Sequence, residues 1–129
     1  MATTHSTAAR DAATNAVTAL IGASGKLKYR LAGTVAAPGT AVATLSLSAT
    51  AFGASATGTA TAAAITSDTA AAGNASAVAT ATLETSGGVV VIHCAVAASA
   101  SDINMTNGLI VAAGDTVSCS SLTYTALPA

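Results

Sequence analysis

The chain has 129 residues, of which 7% are charged and 2% aromatic, with no Trp, while 52% count as hydrophobic. Five carboxylates, four Lys or Arg and two His give a formal net charge of −1. That set is too sparse to assemble the acids, bases and nucleophiles of a catalytic site, so no enzyme and no cofactor are expected. The balance also excludes a broadly basic nucleic-acid binder.

Most of the hydrophobic fraction is Ala, accompanied by Thr, Ser, Gly and Val. Ala buries little area, and apolar burial stabilises by roughly 25 cal/mol per Å². A core made largely of Ala and Val is therefore thin for the backbone entropy it must offset. Burial against other subunits is expected to supply part of the stability, and the small net charge permits close association. A mean hydropathy of +0.66 argues against disorder, which goes with low hydrophobicity and high charge. One domain is expected over residues 1–129, with an N-terminal arm and helix in 1–25 and a β-sandwich in 26–129.

Residues Thr7–Ile21 read as a helix. Ser6 or Thr4 can cap it, and Gly22 stops it. Ala9, Ala13, Ala16, Val17, Leu20 and Ile21 recur at helical spacing as an apolar stripe, with Arg10, Asp11, Thr14 and Asn15 off it. No basic n-region and apolar h-region precede the helix, so export is not expected and synthesis is placed in the cytoplasm. No apolar run approaches the ~20 residues of a membrane span.

After Lys26 the pattern alternates. Leu27, Tyr29 and Leu31 share one face, and Lys26, Lys28 and Arg30 share the other. Those three cations are the densest charge in the chain and the candidate partner-contact residues. They form either a docking stripe for an acidic surface or a solvated face that protects a sheet edge. Residues 40–48, 57–65, 75–84 and 89–96 are further strands, with Pro38-Gly39 and Ser86-Gly87-Gly88 as turns. Val90, Ile92, Cys94 and Val96 should share an inward face. Asn107-Gly108 predicts a hairpin between strands at 103–106 and 109–111. Gly114-Asp115 leads into a last strand at 116–125, with a bulge at Ser120-Ser121 letting Val117 and Leu122 both point inward. Leu27, Leu31, Leu45, Leu47, Val90, Ile92, Cys94, Val96 and Val117 form the expected core. The fold class is mainly β, an antiparallel β-sandwich or jelly roll with one N-terminal α-helix.

The chemistry-bearing residues have bland readings. His93 faces away from Ile92 and Cys94 and lacks a nucleophile motif, so it reads as a structural, hydrogen-bonded His. Cys94 and Cys119 read as free, buried thiols, with a single disulfide between neighbouring strands as the alternative, and no spacing supports a metal site. Gly22-Ala23-Ser24-Gly25-Lys26 follows a helix and is not a phosphate loop.

Residues 4–10 (THSTAAR) running into an Ala-rich helix, Ala51-Phe52-Gly53, residues 58–69 (GTATAAAITSDT) and residues 112–125 (AAGDTVSCSSLTYT) resemble small proteins encoded among the virion structural genes of tailed bacteriophages and prophages. The resemblance runs through nearly the whole chain in the same order. That family often carries an aromatic in the strand at 75–84, where this chain has none. The resemblance implies a virion component. Capsid decoration, or cementing, of the head shell is the first expectation, with tail or receptor-binding module and head–tail connector as alternatives. The expected partners are the major capsid protein and copies of the chain itself, in a homo-oligomer on the capsid surface, with neither nucleic acid nor membrane. Residues Met1 to Arg10 should be ordered by such a contact.

Overall fold

The computed structural model describes residues 3–128. Its elements are α1 (Thr7–Ile21), β1 (Lys26–Arg30), β2 (Ala41–Ser46), β3 (Thr59–Thr61), β4 (Thr80–Glu84), β5 (Val90–Ala97), β6 (Ile103–Asn104) and β7 (Thr123–Thr125). The protein is mainly β with one N-terminal helix, as the alternation predicts.

α1 starts where the Ser6 hydroxyl accepts the Ala9 N–H at 3.2 Å, satisfying one of the orphan donors of a first turn. It ends at Gly22, whose φ of 70° suits a residue without Cβ. Five strands form a sheet in the order β2-β1-β4-β5-β6, and β3 pairs with β7 in a separate ribbon. A single hydrophobic cluster joins the two layers. It contains Leu27, Leu45, Ala81 and Leu83 from the sheet, Ala60 from the ribbon, and Phe52, Val111, Val117 and Leu122 from the connecting chain. Small residues let the layers approach: a Cβ at Gly25 would meet Ile21 Cγ2 and lie 2.7 Å from the Glu84 carbonyl oxygen.

Several expectations are corrected. The sheet is mixed, because β6 runs parallel to β5. Asn107-Gly108 makes no hairpin, and residues 109–111 form no strand. A jelly roll needs eight strands in two Greek keys, and the described residues form seven in this order. Two expected strands hold only short pairings: β3 covers three residues of 57–65, and only Thr123–Thr125 of 116–125 forms a strand. In 57–65 the repeated Ala contributes little cross-strand contact to hold a ladder. Val117 and Leu122 are nevertheless both buried, with irregular chain between them.

Leu31, Val90, Ile92 and Cys94 are half-buried rather than core. On its outer side β5 has only the two-residue β6 as a strand neighbour. For Val90 the cause is a register shift between Leu83 and Glu84, which pairs Leu83 with Ile92 but Glu84 with Val90. Paired residues share a face, so this bulge moves Val90 to the Glu84 side.

The buried side of α1 also differs from the apolar stripe. Thr14 and Ile21 are buried, whereas Ala9, Ala16 and Leu20 are exposed. Polar bonds to the turn at residues 55–58 decide the orientation. Asp11 Oδ1 accepts the Ser55 hydroxyl at 2.8 Å and the Gly58 N–H at 2.7 Å. Asn15 Oδ1 accepts the Ser55 N–H, Arg10 donates to the Thr57 carbonyl, and the Thr14 hydroxyl donates to the Gly58 carbonyl. Thr57 and Gly58 both have positive φ, so this turn leaves backbone groups without ladder partners. Satisfying them outweighs burying a few Ala methyl groups. Of residues Met1 to Arg10, Met1 and Ala2 lie outside the described residues, and Arg10 is tied to its own chain.

Candidate interaction surface

The ladder puts Lys26 opposite Glu84, Lys28 opposite Thr82 and Arg30 opposite Thr80 on β4. Lys26, Lys28 and Arg30 therefore do share a face, and β4 brings a carboxylate onto it. Glu84 is almost completely buried, 1% exposed. Its Oε1 lies 3.3 Å from Lys28 Nζ and its Oε2 lies 2.8 Å from Arg30 Nη2. The Thr82 hydroxyl donates to the same Oε2 at 2.5 Å. Arg30 is fully engaged: Nε donates to Thr82 Oγ1 at 3.0 Å and Nη1 to the Gly39 carbonyl at 2.7 Å. Lys26 Nζ donates to Ser46 Oγ at 2.9 Å.

Burial by itself would raise the Glu84 carboxyl. The hydrogen bonds from Arg30, Thr82 and Lys28, with the Lys28 charge, outweigh it and hold the group below the ordinary carboxylate range. The three cations thus divide in role. Arg30 neutralises a buried anion, Lys28 shares that task, and Lys26 with the outer part of Lys28 is the charge shown to solvent. Replacing all three would strand Glu84, so the stripe is not a purely superficial feature. Glu84 escaped the sequence reading because its partners lie more than fifty positions away. The available signal was parity: it is the lone carboxylate of its strand, out of phase with Ala81 and Leu83.

His93 lies on this same face, opposite Thr82. Its Nε2 is buried without a hydrogen-bond partner, which corrects the expectation of a satisfied ring. Among the described residues no three His, Cys, Asp or Glu side chains come together as a metal-sized group.

The opposite face borders a cleft of about 610 Å³, lined among others by Tyr29, Asp102, Asn104, Asn107, Ser118 and Thr123. Hydroxyls and amides dominate this lining. Tyr29 is only 3% exposed, and burial, followed by the neighbouring Cys119 thiol, pushes its phenol well above the ordinary range. Cys94 and Cys119 are both free. Burial, with Asp102 nearby, pushes the Cys94 thiol up to about 11, and burial raises Cys119 as well. Both stay protonated and unreactive at neutral pH.

The chain leaves some of its scarce large aliphatic side chains outside. Leu20, Val89 and Ile110 are each 65% exposed and Val35 is 60% exposed. Ile110 stands on the cleft wall. Val89 adjoins the turn between β4 and β5. No helix among the described residues is long and apolar enough to cross a membrane. No protein-family model, no curated protein and no solved structure matches the chain.

Proposed function

We propose that the protein is a structural component of a phage virion, decorating the head shell and cementing it by contacts with the major capsid protein and with its own copies. The observation that carries this reading is the exposure of Leu20, Val35, Val89 and Ile110 in a chain whose core is built largely from Ala and Val. A chain short of large apolar groups gains most by covering those it leaves outside, and a partner surface is what covers them. The sequence resemblance to virion structural proteins supplies the kind of partner. The mechanism is linkage: contacts made only in the assembled, expanded shell add their binding free energy to the stability of that shell. Of the expected contact residues, Lys26 and the outer part of Lys28 are placed to meet an acidic surface, in a salt-sensitive way.

The test is binding of the purified protein to expanded shells stripped of accessory proteins, followed by cosedimentation. Saturation at a copy number comparable to that of the capsid protein, with increased shell resistance to heat, is expected. Absence of shell binding overturns the reading. The hydroxyl- and amide-lined cleft favours a second reading, a tail or receptor-binding module for a glycan. In that case a few copies per virion and saccharide binding at the cleft replace shell binding.

A further inference from the structure

Asn107-Gly108, which reads as a hairpin signal, forms a turn instead. Its closing bond, from the Gly108 N–H to the Met105 carbonyl, is 3.4 Å long, beyond the usual N–H···O range of about 2.7–3.2 Å. Both residues are exposed and stand on the wall of the cleft. Gly108 has a φ of 112°, and nothing lies within 4 Å of where its Cβ would be. The turn is therefore not packed against a neighbour at that point.

The chain has four Asn, and the other three are held. Asn15 Oδ1 accepts the Ser55 N–H at 2.8 Å, Asn74 Oδ1 the Ser76 N–H at 2.9 Å and Asn104 Oδ1 the Ser101 N–H at 3.0 Å, whereas the Asn107 carboxamide meets no partner among the described residues. The next backbone nitrogen is also held at two of those sites. After Asn15 it lies inside α1, and after Asn104 the Met105 N–H donates to the Ala97 carbonyl at 2.8 Å. Asn15, Asn74 and Asn104 precede Ala16, Ala75 and Met105, whose side chains crowd the approach of that nitrogen to the carboxamide. Only Asn107 combines a free carboxamide, a weakly held next nitrogen and a following residue without Cβ.

We propose that Asn107 is a site of spontaneous modification in the folded protein: the Gly108 nitrogen attacks the Asn107 carboxamide and closes a succinimide, which water then opens. In the first step the Gly108 nitrogen loses its proton and bonds to Cγ, the Cγ–Nδ2 bond breaks, and ammonia leaves. The reacting groups are neighbours in the chain, so the attack is intramolecular. In the second step one water adds across one of the two ring bonds to the Gly108 nitrogen. Opening at Cγ gives aspartate. Opening at the Asn107 main-chain carbonyl gives isoaspartate, with the backbone running through Cβ and Cγ. Either product carries a carboxylate that is ionised at neutral pH, so the formal net charge becomes one unit more negative than −1. The cleft lining holds the carboxylates of Asp102 and Asp115 and no Lys, Arg or His. The reaction adds a further carboxylate there and removes an amide donor, which turns the cleft against anionic ligands. The proposal stands apart from the assembly reading above.

The experiment incubates the full folded chain in mildly alkaline buffer, beside the same chain unfolded in urea, and follows both by peptide mapping with mass spectrometry. Aspartate and isoaspartate are expected at Asn107 first, with a one-charge acidic shift on isoelectric focusing. One retained hydrogen bond is enough to slow a reaction about tenfold, so in the folded chain Asn107 should convert at least about tenfold faster than Asn15, Asn74 or Asn104. The rate should rise with pH, because the attacking nitrogen must lose its proton. Asn107→Gln, at an exposed position, would have to close a larger and less readily formed ring and should show no early charge shift. An Asn107 that stays intact in the folded chain overturns the proposal, and the urea arm shows whether folding is what protects it. Equal conversion of all four Asn in the folded chain overturns it too, as does a charge shift that N107Q retains. Aspartate without isoaspartate means direct hydrolysis and overturns the succinimide route.

Discussion

Replacing Glu84 by Gln tests whether the ion cluster holds the sheet together. The carboxylate is 1% exposed and faces Lys28 and Arg30, which are 24% and 13% exposed. Gln keeps the shape and removes the anion, leaving two poorly hydrated cations without a counter-charge. Removing one partner of a buried pair typically costs about 3–5 kcal/mol. Because both cationic groups retain some water, about 2–3 kcal/mol is expected here. For a chain of this length that lowers Tm by roughly 10 °C. The sign of the pH dependence follows from the lowered folded-state pKa of Glu84. Its contribution is fully present above the unfolded value of 4.5 and is lost as pH falls through the lower folded value. Gln does not titrate, so the stability gap between parent and variant should narrow as the solution is acidified below about pH 4. Urea titrations followed by circular dichroism at pH 7 and at pH 3 measure both effects. A gap under about 0.5 kcal/mol at pH 7, or one that does not narrow in acid, refutes the reasoning.

Two further outcomes follow from the geometry. Gly25→Ala should destabilise strongly, about 2 kcal/mol or more by the overpacking scale, because its Cβ would press on Ile21 and the Glu84 carbonyl; a thermal melt within a degree or two of the parent would contradict that packing. Cys94, with a thiol raised from 9.0 to about 11, should be alkylated at pH 8 about a hundredfold more slowly than in urea-unfolded chain. Equal rates in both states, followed by mass spectrometry, would show that the thiol is not where the ladder places it.

Much of the backbone was legible in the sequence because local signals agreed. Ser6, the 3.6-residue spacing and Gly22 bounded α1 at Thr7 and Ile21, since capping and helix termination depend on neighbours within a turn. The alternation through Leu27 and Tyr29, and the glycines at 87 and 88, similarly located β1 and the β4–β5 turn. The candidate residues Lys26, Lys28 and Arg30 were placed on one face by parity alone.

What the sequence did not determine depended on partners distant along the chain. Glu84 became the counter-ion of Lys28 and Arg30 only when β4 paired with β1. α1 turned its polar side inward because a turn over forty residues away presented unpaired backbone groups, whereas alanines offered little competing burial. The bulge at Leu83 and Glu84 moved Val90 to the other face, a one-residue shift that alternating valines do not encode. Tertiary structure also brought β6 alongside only the second half of β5, at Val96 and Ala97. Strand order, rather than the composition of the strand, decides which backbone groups find a neighbour.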